Sequence, residues 1–248
     1  MQTFLCENLK GDTELDAAKE YFAENGYIVI ENVLSSQFID DLNNSLGEFS
    51  GRKQDHWQEN QYVKDVAANK FIYNLLKFFY NEKPIPFQTL NFHYGTMQRE
   101  HVDLIHFSPS PENFNLMCGA WYALEDITED KGPLIFYPKS HKEKVITDLS
   151  NIGDYKDYEQ HMKKIGQTKY QRHSANIPKG SVIIWASNLI HGGHPNSDPD
   201  STRRSMVTHY LFESSNYYWT PVLSTPDNIV YRDKSAIINA SKKILDYS

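Results

Sequence analysis

The feature that most constrains this chain is the change of pattern at Pro86. Upstream, apolar residues recur at helical spacing. Downstream, short β-branched and aromatic runs follow one another: "FQTLNFHYG", "QREHVDLIHF", "NLMCGAWYALEDI", "PLIFYP", "SVIIWA" and "SMVTHYLF". Gly, Pro, Asn and Asp clusters separate them. Runs of this length at this spacing predict an antiparallel sandwich or barrel. The 248 residues suffice for one such domain with a sizeable core.

The first third reads differently. Residues 13–25, "TELDAAKEYFAEN", predict an amphipathic helix with Leu15, Ala18 and Phe22 on one face, stopped at Asn25-Gly26. "YIVI" (27–30) is a short strand. "SSQFIDDLNNSLGEF" opens on a Ser cap and reads as a second helix. Residues 50–61 are polar and read as a loop. "FIYNLLKFFY" (71–80) ends a third helix before Pro84 and Pro86. One domain over 1–248 is expected: a mainly helical flank (1–85), a β core (86–215) and a C-terminal extension (216–248). The polar, Lys- and Tyr-rich stretch 142–170 interrupts the core, either as a lid or as a surface insertion.

Composition excludes some partners. A net charge of −7 offers no basic field for nucleic acid and no general attraction to anionic membranes. No apolar run approaches the roughly 20 residues of a membrane-spanning helix. "MQTFLCENLK" lacks the basic and apolar regions of a signal peptide. Cys6 and Cys118 have no metal-type spacing and read as free thiols. A soluble, cytoplasmic protein is the expectation.

The chemistry-bearing stretch is "QREHVDLIHF" (98–107). Read as a strand, it places His101 and Asp103 on one face, about 7 Å apart, with Val102 and Leu104 on the other. An imidazole and a carboxylate so placed can converge on one cation if a third ligand arrives from elsewhere. His191 is the favoured third ligand: it follows the strand "GSVIIWASNLI" and precedes a Gly-Gly turn. His194, inside that turn, is the alternative. Two histidines and one carboxylate on a face of an octahedron leave three positions open, the arrangement of non-haem Fe(II) oxygenases. Next comes "STRRSMVTHYLF", where Arg203 and Ser205 share a strand face and Arg204 takes the other. A guanidinium fork with a neighbouring hydroxyl suits the distal carboxylate of a co-substrate. The order of these four pieces carries more weight than any one of them.

Here the chain resembles the phytanoyl-CoA dioxygenase family of Fe(II)/2-oxoglutarate-dependent oxygenases. The resemblance runs from about residue 20 to residue 213. It rests on "FAENGYIVIENVLS", the "HVD" pair, "WYALEDITEDKGPLIFYPKSHK", "GSVIIWASNLIHGG" and the arginine on the following strand. It implies a double-stranded β-helix, a cupin-like jelly roll, with the N-terminal helices packed outside. It implies His101, Asp103 and His191 as iron ligands, Arg203 with Ser205 on 2-oxoglutarate, and Trp121 against the co-substrate. Fe(II), 2-oxoglutarate and O2 would then be the cofactors, with succinate and CO2 as co-products.

The implied reaction is hydroxylation of an unactivated C–H of a small-molecule or carrier- or sugar-linked metabolite. Related halogenases replace the carboxylate ligand by a small residue, so Asp103 disfavours halogenation. Gly193 departs from members that carry a serine there. The alternative reading is a non-catalytic jelly-roll module, for example a sugar-binding protein, which needs no iron triad.

Other residues are weaker candidates. On a regular strand His106 points away from the metal face; if the strand ends early, it reaches the pocket mouth and touches substrate. His141 reads as structural, and His93 and His209 as core or surface histidines in preference to supports of the metal ligands. Tyr94, Gln98, Tyr122 and Tyr137 either line the barrel or are ordinary sheet residues. Lys163, Lys164, Lys169 and Arg172 form a solvated face or meet an anionic substrate.

Overall fold

The computed structural model describes residues 1–109, 115–143, 155–198, 200–215, 218–225 and 227–245. In chain order the N-terminal part holds β1 (Thr3–Leu5), α1 (Asp12–Asn25), β2 (Tyr27–Glu31), α2 (Ser36–Leu46), β3 (Arg52–Gln54), α3 (Gln61–Ala67) and α4 (Lys70–Tyr80). Then follow β4 (Pro84–Phe92), β5 (Ser108–Pro109), β6 (Met117–Ala123), β7 (Leu134–Phe136), α5 (Tyr155–Lys169), β8 (His173–Ser174), β9 (Val182–Ala186) and β10 (His191–Gly193). The chain closes with β11 (Ser205–Phe212), β12 (Tyr218–Trp219), β13 (Tyr231–Arg232) and α6 (Lys234–Ile244). No described helix is long and apolar enough to cross a membrane.

The helices begin and end where the sequence provides caps. Ser35 Oγ accepts the Phe38 N–H before α2, and Asn60 and Asn69 do the same for α3 and α4. Gly26, at φ 77°, ends α1 in the left-handed conformation, and its N–H returns to the Phe22 carbonyl.

The fold is a jelly roll. A seven-stranded sheet runs in the order β1-β2-β9-β6-β11-β4-β3, and a smaller sheet runs β10-β7-β8. A third small sheet, β13-β12-β5, stands at one end. Alternation decides what each face of the large sheet packs against. Cys118, Ala120 and Tyr122 of β6, Val182 and Ile184 of β9, and Met206 and Tyr210 of β11 pack against the N-terminal helices. The intervening residues Trp121, Ala123, Ile183, Trp185 and Val207 face the smaller sheet, meeting Leu134 and Phe136. Burial on both faces explains why these strands read as continuous apolar runs. Each fully buried Ile or Leu here contributes roughly 1.5–3 kcal/mol.

Two local readings are corrected. Residues 50–61 are not a loop: β3 pairs with β4 through Arg52↔Phe92 and Gln54↔Leu90, and a 3-10 turn at 56–58 leads into α3. Three polar residues carry no apolar alternation to announce a strand, yet they cover the edge of β4. Residues 98–107 are not one strand either. His101 makes an isolated antiparallel bridge to His191, and Asp103–Ile105 is a 3-10 turn. Within the 142–170 stretch, residues 144–154 lie outside the described residues. The remainder is largely α5, which buries Tyr158, Met162 and Ile165 against Val102, Leu104 and Ile105.

Candidate active site

His101 and His191 are held opposite each other by their own backbones. His101 N–H donates to the His191 carbonyl at 2.9 Å, and His191 N–H donates to the His101 carbonyl at 3.0 Å. Asp103 opens the 3-10 turn two residues on. That turn is fixed by Leu104 N–H on the Ser187 carbonyl, 3.2 Å, and by its apolar residues pressed under α5. The pair thus converges through a bridge and a turn rather than by alternation along a strand.

The donor atoms of His101, Asp103 and His191 lie within 4.8 Å of one another, and all three residues are buried. Asp103 Oδ1 is 3.8 Å from His101 Nε2 and 3.6 Å from His191 Nε2. Each Nδ1 faces a carbonyl two residues upstream: His101 to Arg99 O at 2.8 Å, His191 to Leu189 O at 3.0 Å. These carbonyls select the tautomer that carries its proton on Nδ1, leaving the Nε2 lone pairs turned toward Asp103. Burial first, and the neighbouring His191 second, push the His101 pKa down to about 3, so the imidazole is neutral. Burial works to raise the Asp103 pKa; His191, His209, His101 and the Trp185 N–H outweigh it and keep the carboxyl ionised. Two imidazoles and one carboxylate are the donor chemistry of a ferrous site. Among the described residues this is the one such group placed to hold a metal ion.

A cavity of about 350 Å³ opens from the triad. Arg203 and Trp121 line it as well. Arg203 is 4% exposed, its N–H is tied to the His93 carbonyl, and its Nη1 donates to Ser205 Oγ at 3.3 Å. Its Cζ lies 5.5 Å from the Trp121 ring and 5.9 Å from the Phe92 ring. No described carboxylate forms an ion pair with it, and its Nε has no hydrogen-bond partner. Burial lowers its pKa to about 10, so it remains a cation. A buried N–H left unpaired costs roughly 1–3 kcal/mol, and this one belongs to a guanidinium that lines the cavity. Arg204 is absent from the cavity wall, as alternation requires.

His106 follows the 3-10 turn and lines the cavity, its ring 6.3 Å from that of His101. Gln98 lines it too, its amide nitrogen 3.2 Å from His101 Nε2. Tyr94, Tyr122 and Tyr137 do not. His194 turns away toward Glu129, at 3.7 Å. His141 is structural: its Nε2 meets the Ala23 carbonyl at 3.1 Å and its own carbonyl accepts from Asn188.

Two residues that sequence reasoning left out of the site stand beside Asp103. Trp185 Nε1 donates to Asp103 Oδ2 at 2.7 Å, and His209 Nε2 stands 3.7 Å from the same oxygen. His209 had a legible signal, because it shares the β11 face of Ser205 and Val207. Gly193 also gains a physical reason. A Cβ there would stand 3.1 Å from Gln98 N and 3.2 Å from Met97 N, so a serine needs that segment to give way.

A jelly roll that converges two histidines and an aspartate beside a buried arginine defines the class of the Fe(II)/2-oxoglutarate-dependent oxygenases. A sequence model of phytanoyl-CoA dioxygenase (PhyH) matches residues 49–205, more than half of the chain, and the protein belongs to that family. The phytanoyl-CoA dioxygenase domain-containing protein 1 homolog of Caenorhabditis briggsae is 22% identical, with 82% of this chain and 92% of that protein covered. Among solved structures, the epimerase SnoN in complex with Fe3+, alpha ketoglutarate and nogalamycin RO superposes with a TM-score of 0.68 at 18% identity, covering 82% of this chain and 85% of that one. EctD from S. alaskensis with 2-oxoglutarate and 5-hydroxyectoine gives 0.60 at 17% identity, covering 79% and 76%.

Proposed function

We propose that this oxygenase hydroxylates an unactivated C–H of a small-molecule or carrier- or sugar-linked metabolite, with Fe(II), 2-oxoglutarate and O2 as cofactors and succinate and CO2 as co-products. One observation carries the reading: the buried His101–Asp103–His191 cluster and the unpartnered Arg203 open onto one cavity. Nε2 of His101 and His191 and Oδ1 of Asp103 would hold the metal. When bound, ferrous iron with 2-oxoglutarate and O2 supplies the oxidising power for C–H cleavage.

The protein's own residues do the rest. The Arg99 and Leu189 carbonyls hold each ligand imidazole in one tautomer and one plane. Trp185 holds Asp103 so that Oδ1 faces the histidines. Arg203 would take the distal carboxylate of 2-oxoglutarate as a two-point fork, with Ser205 beside it and Trp121 as an apolar wall. The buried walls exclude water and fix the position of the reacting carbon. His106, partly open to the cavity, would touch substrate. Two unpaired thiols, Cys6 and Cys118, suit a cytoplasmic setting.

The test is anaerobic addition of Fe(II) and 2-oxoglutarate, followed by the weak visible charge-transfer band of the chelate. The band is expected in the wild type and lost in Asp103→Ala. A featureless wild-type spectrum would overturn the reading.

A further inference from the structure

We propose that the substrate is an organic anion with an apolar body, its anionic group held by Arg52 and Arg232 at the cavity mouth. This rests on the oxygenase reading of the same cavity and names the class of substrate it takes.

Both arginines line the cavity and both are exposed to solvent. They arrive from separate sheets. On β3, alternation turns Arg52 and Gln54 inward, while Lys53 faces away, donating to the Leu46 carbonyl and lying 4.6 Å over the Phe49 ring. On β13, Arg232 pairs with Tyr218, whose ring packs 6.2 Å from Phe107 of the cavity wall. Neither arginine has an ion-pair partner among the described residues, whereas Lys131, Lys139, Lys142, Lys169 and Lys179 all do.

Charge around the cavity sharpens the point. Asp103 is its single lining carboxylate, and it faces the two ligand histidines. Asp55, beside Gln54, does not line the cavity and accepts the Thr89 N–H at 3.0 Å. In a chain of net charge −7, these two guanidiniums, neither in an ion pair among the described residues and Arg232 hydrogen-bonded to the neutral Tyr218 side chain, form a local cationic patch on the cavity. The basic residues Lys163, Lys164, Lys169 and Arg172 lie away from this wall.

The rim is also apolar. Leu223 lines the cavity while 60% exposed, with Val222 beside it. An exposed leucine beside guanidiniums that lack an ion pair among the described residues matches a ligand with a hydrocarbon or ring body and one anionic group. The carbon to be oxidised would lie inward at the triad, and the anion at the solvent end.

Ligand-observed saturation-transfer NMR on the metal-free protein tests this without iron or 2-oxoglutarate, so its failure is separate from failure of the spectroscopic test above. The probes are matched pairs: octanoate with octanamide, and octyl phosphate with octanol. Wild type should bind at least one anion about tenfold more tightly than its neutral twin. The preference should vanish in R52Q/R232Q, survive in part in R52K/R232K, and persist in R203Q, which removes the other guanidinium. The better anion tells carboxylate from phosphate. No preference in wild type, or one lost in R203Q and kept in R52Q/R232Q, overturns the proposal. Far-UV dichroism checks that each variant is folded.

Discussion

The indole N–H of Trp185 donates to Asp103 Oδ2 at 2.7 Å, and a glycine on the adjacent strand makes room for that indole. A Cβ on Gly119 would stand 2.6 Å from the Trp185 ring. The carboxylate's orientation is therefore decided two strands away from it. Trp185→Phe removes the donor, and metal binding should weaken about 10- to 100-fold. Gly119→Ala, which displaces the ring, should act in the same direction. Calorimetric titration with Mn(II) checks both, and unchanged affinity in a folded Trp185→Phe variant would show that Asp103 needs no such support.

Arg203 and Arg204 are adjacent in sequence and opposite in role. Arg203→Ala should raise the dissociation constant for 2-oxoglutarate by about 10- to 100-fold, the worth of a charge-assisted hydrogen bond of roughly 1.5–3 kcal/mol. Arg204→Ala should change it less than about threefold, because its side chain lies off the cavity wall. Equal effects in a direct binding titration would refute the facial assignment.

Gly192 admits the chain of residues 98–100 against β10. A Cβ there would stand 2.9 Å from the Gln98 carbonyl oxygen and 3.2 Å from Glu100 N, both backbone atoms that cannot swing away. Gly192→Ala should destabilise the fold by about 1–3 kcal/mol and loosen the His101–His191 bridge. Chemical denaturation measures the first effect, and metal titration measures the second. A fully stable variant would mean that the bridge yields without cost.

Acidification should weaken the fold through His141. Burial lowers its pKa, and its ring packs over Gly26 at the end of α1. The folded protein therefore holds this imidazole neutral, while the unfolded chain takes up a proton below its ordinary pKa of about 6.5. The contribution to stability is fully present above that pH and is lost as the pH falls toward the lower folded value. Tm of the metal-free protein should fall from pH 7 to pH 5, and more shallowly in His141→Gln. Parallel slopes in the two proteins would assign the effect to other groups.

What the residues disclosed in advance depended on whether a regular strand carried them. Arg203, Ser205 and His209 lie at or on β11, where strict alternation separates the cavity face from the helix face. Asp103 reaches His101 and His191 from a 3-10 turn rather than by the strand alternation expected of it. "HVDLI" alternates equally well as a strand or as a short turn, and the choice is made by Ser187 and α5, both distant in sequence. Trp185 as a partner of Asp103 could not be read from its own strand, because the space it uses is created by Gly119 on β6. β3 was invisible for a different reason: Arg-Lys-Gln has no apolar period, and its pairing is dictated by the exposed edge of β4.

The reciprocal backbone bonds between His101 and His191 have a further consequence. They close a ring at the neck of the stretch 102–190, so the length of that stretch has little influence on how the two imidazoles meet. Surface connections threaded between them can be lengthened, shortened or exchanged while the neck stays shut, whereas α5 is tied to the turn of Asp103 by its packing on Val102, Leu104 and Ile105. A lineage could therefore remodel what surrounds the pocket by insertion and deletion alone, leaving the metal-binding pair untouched.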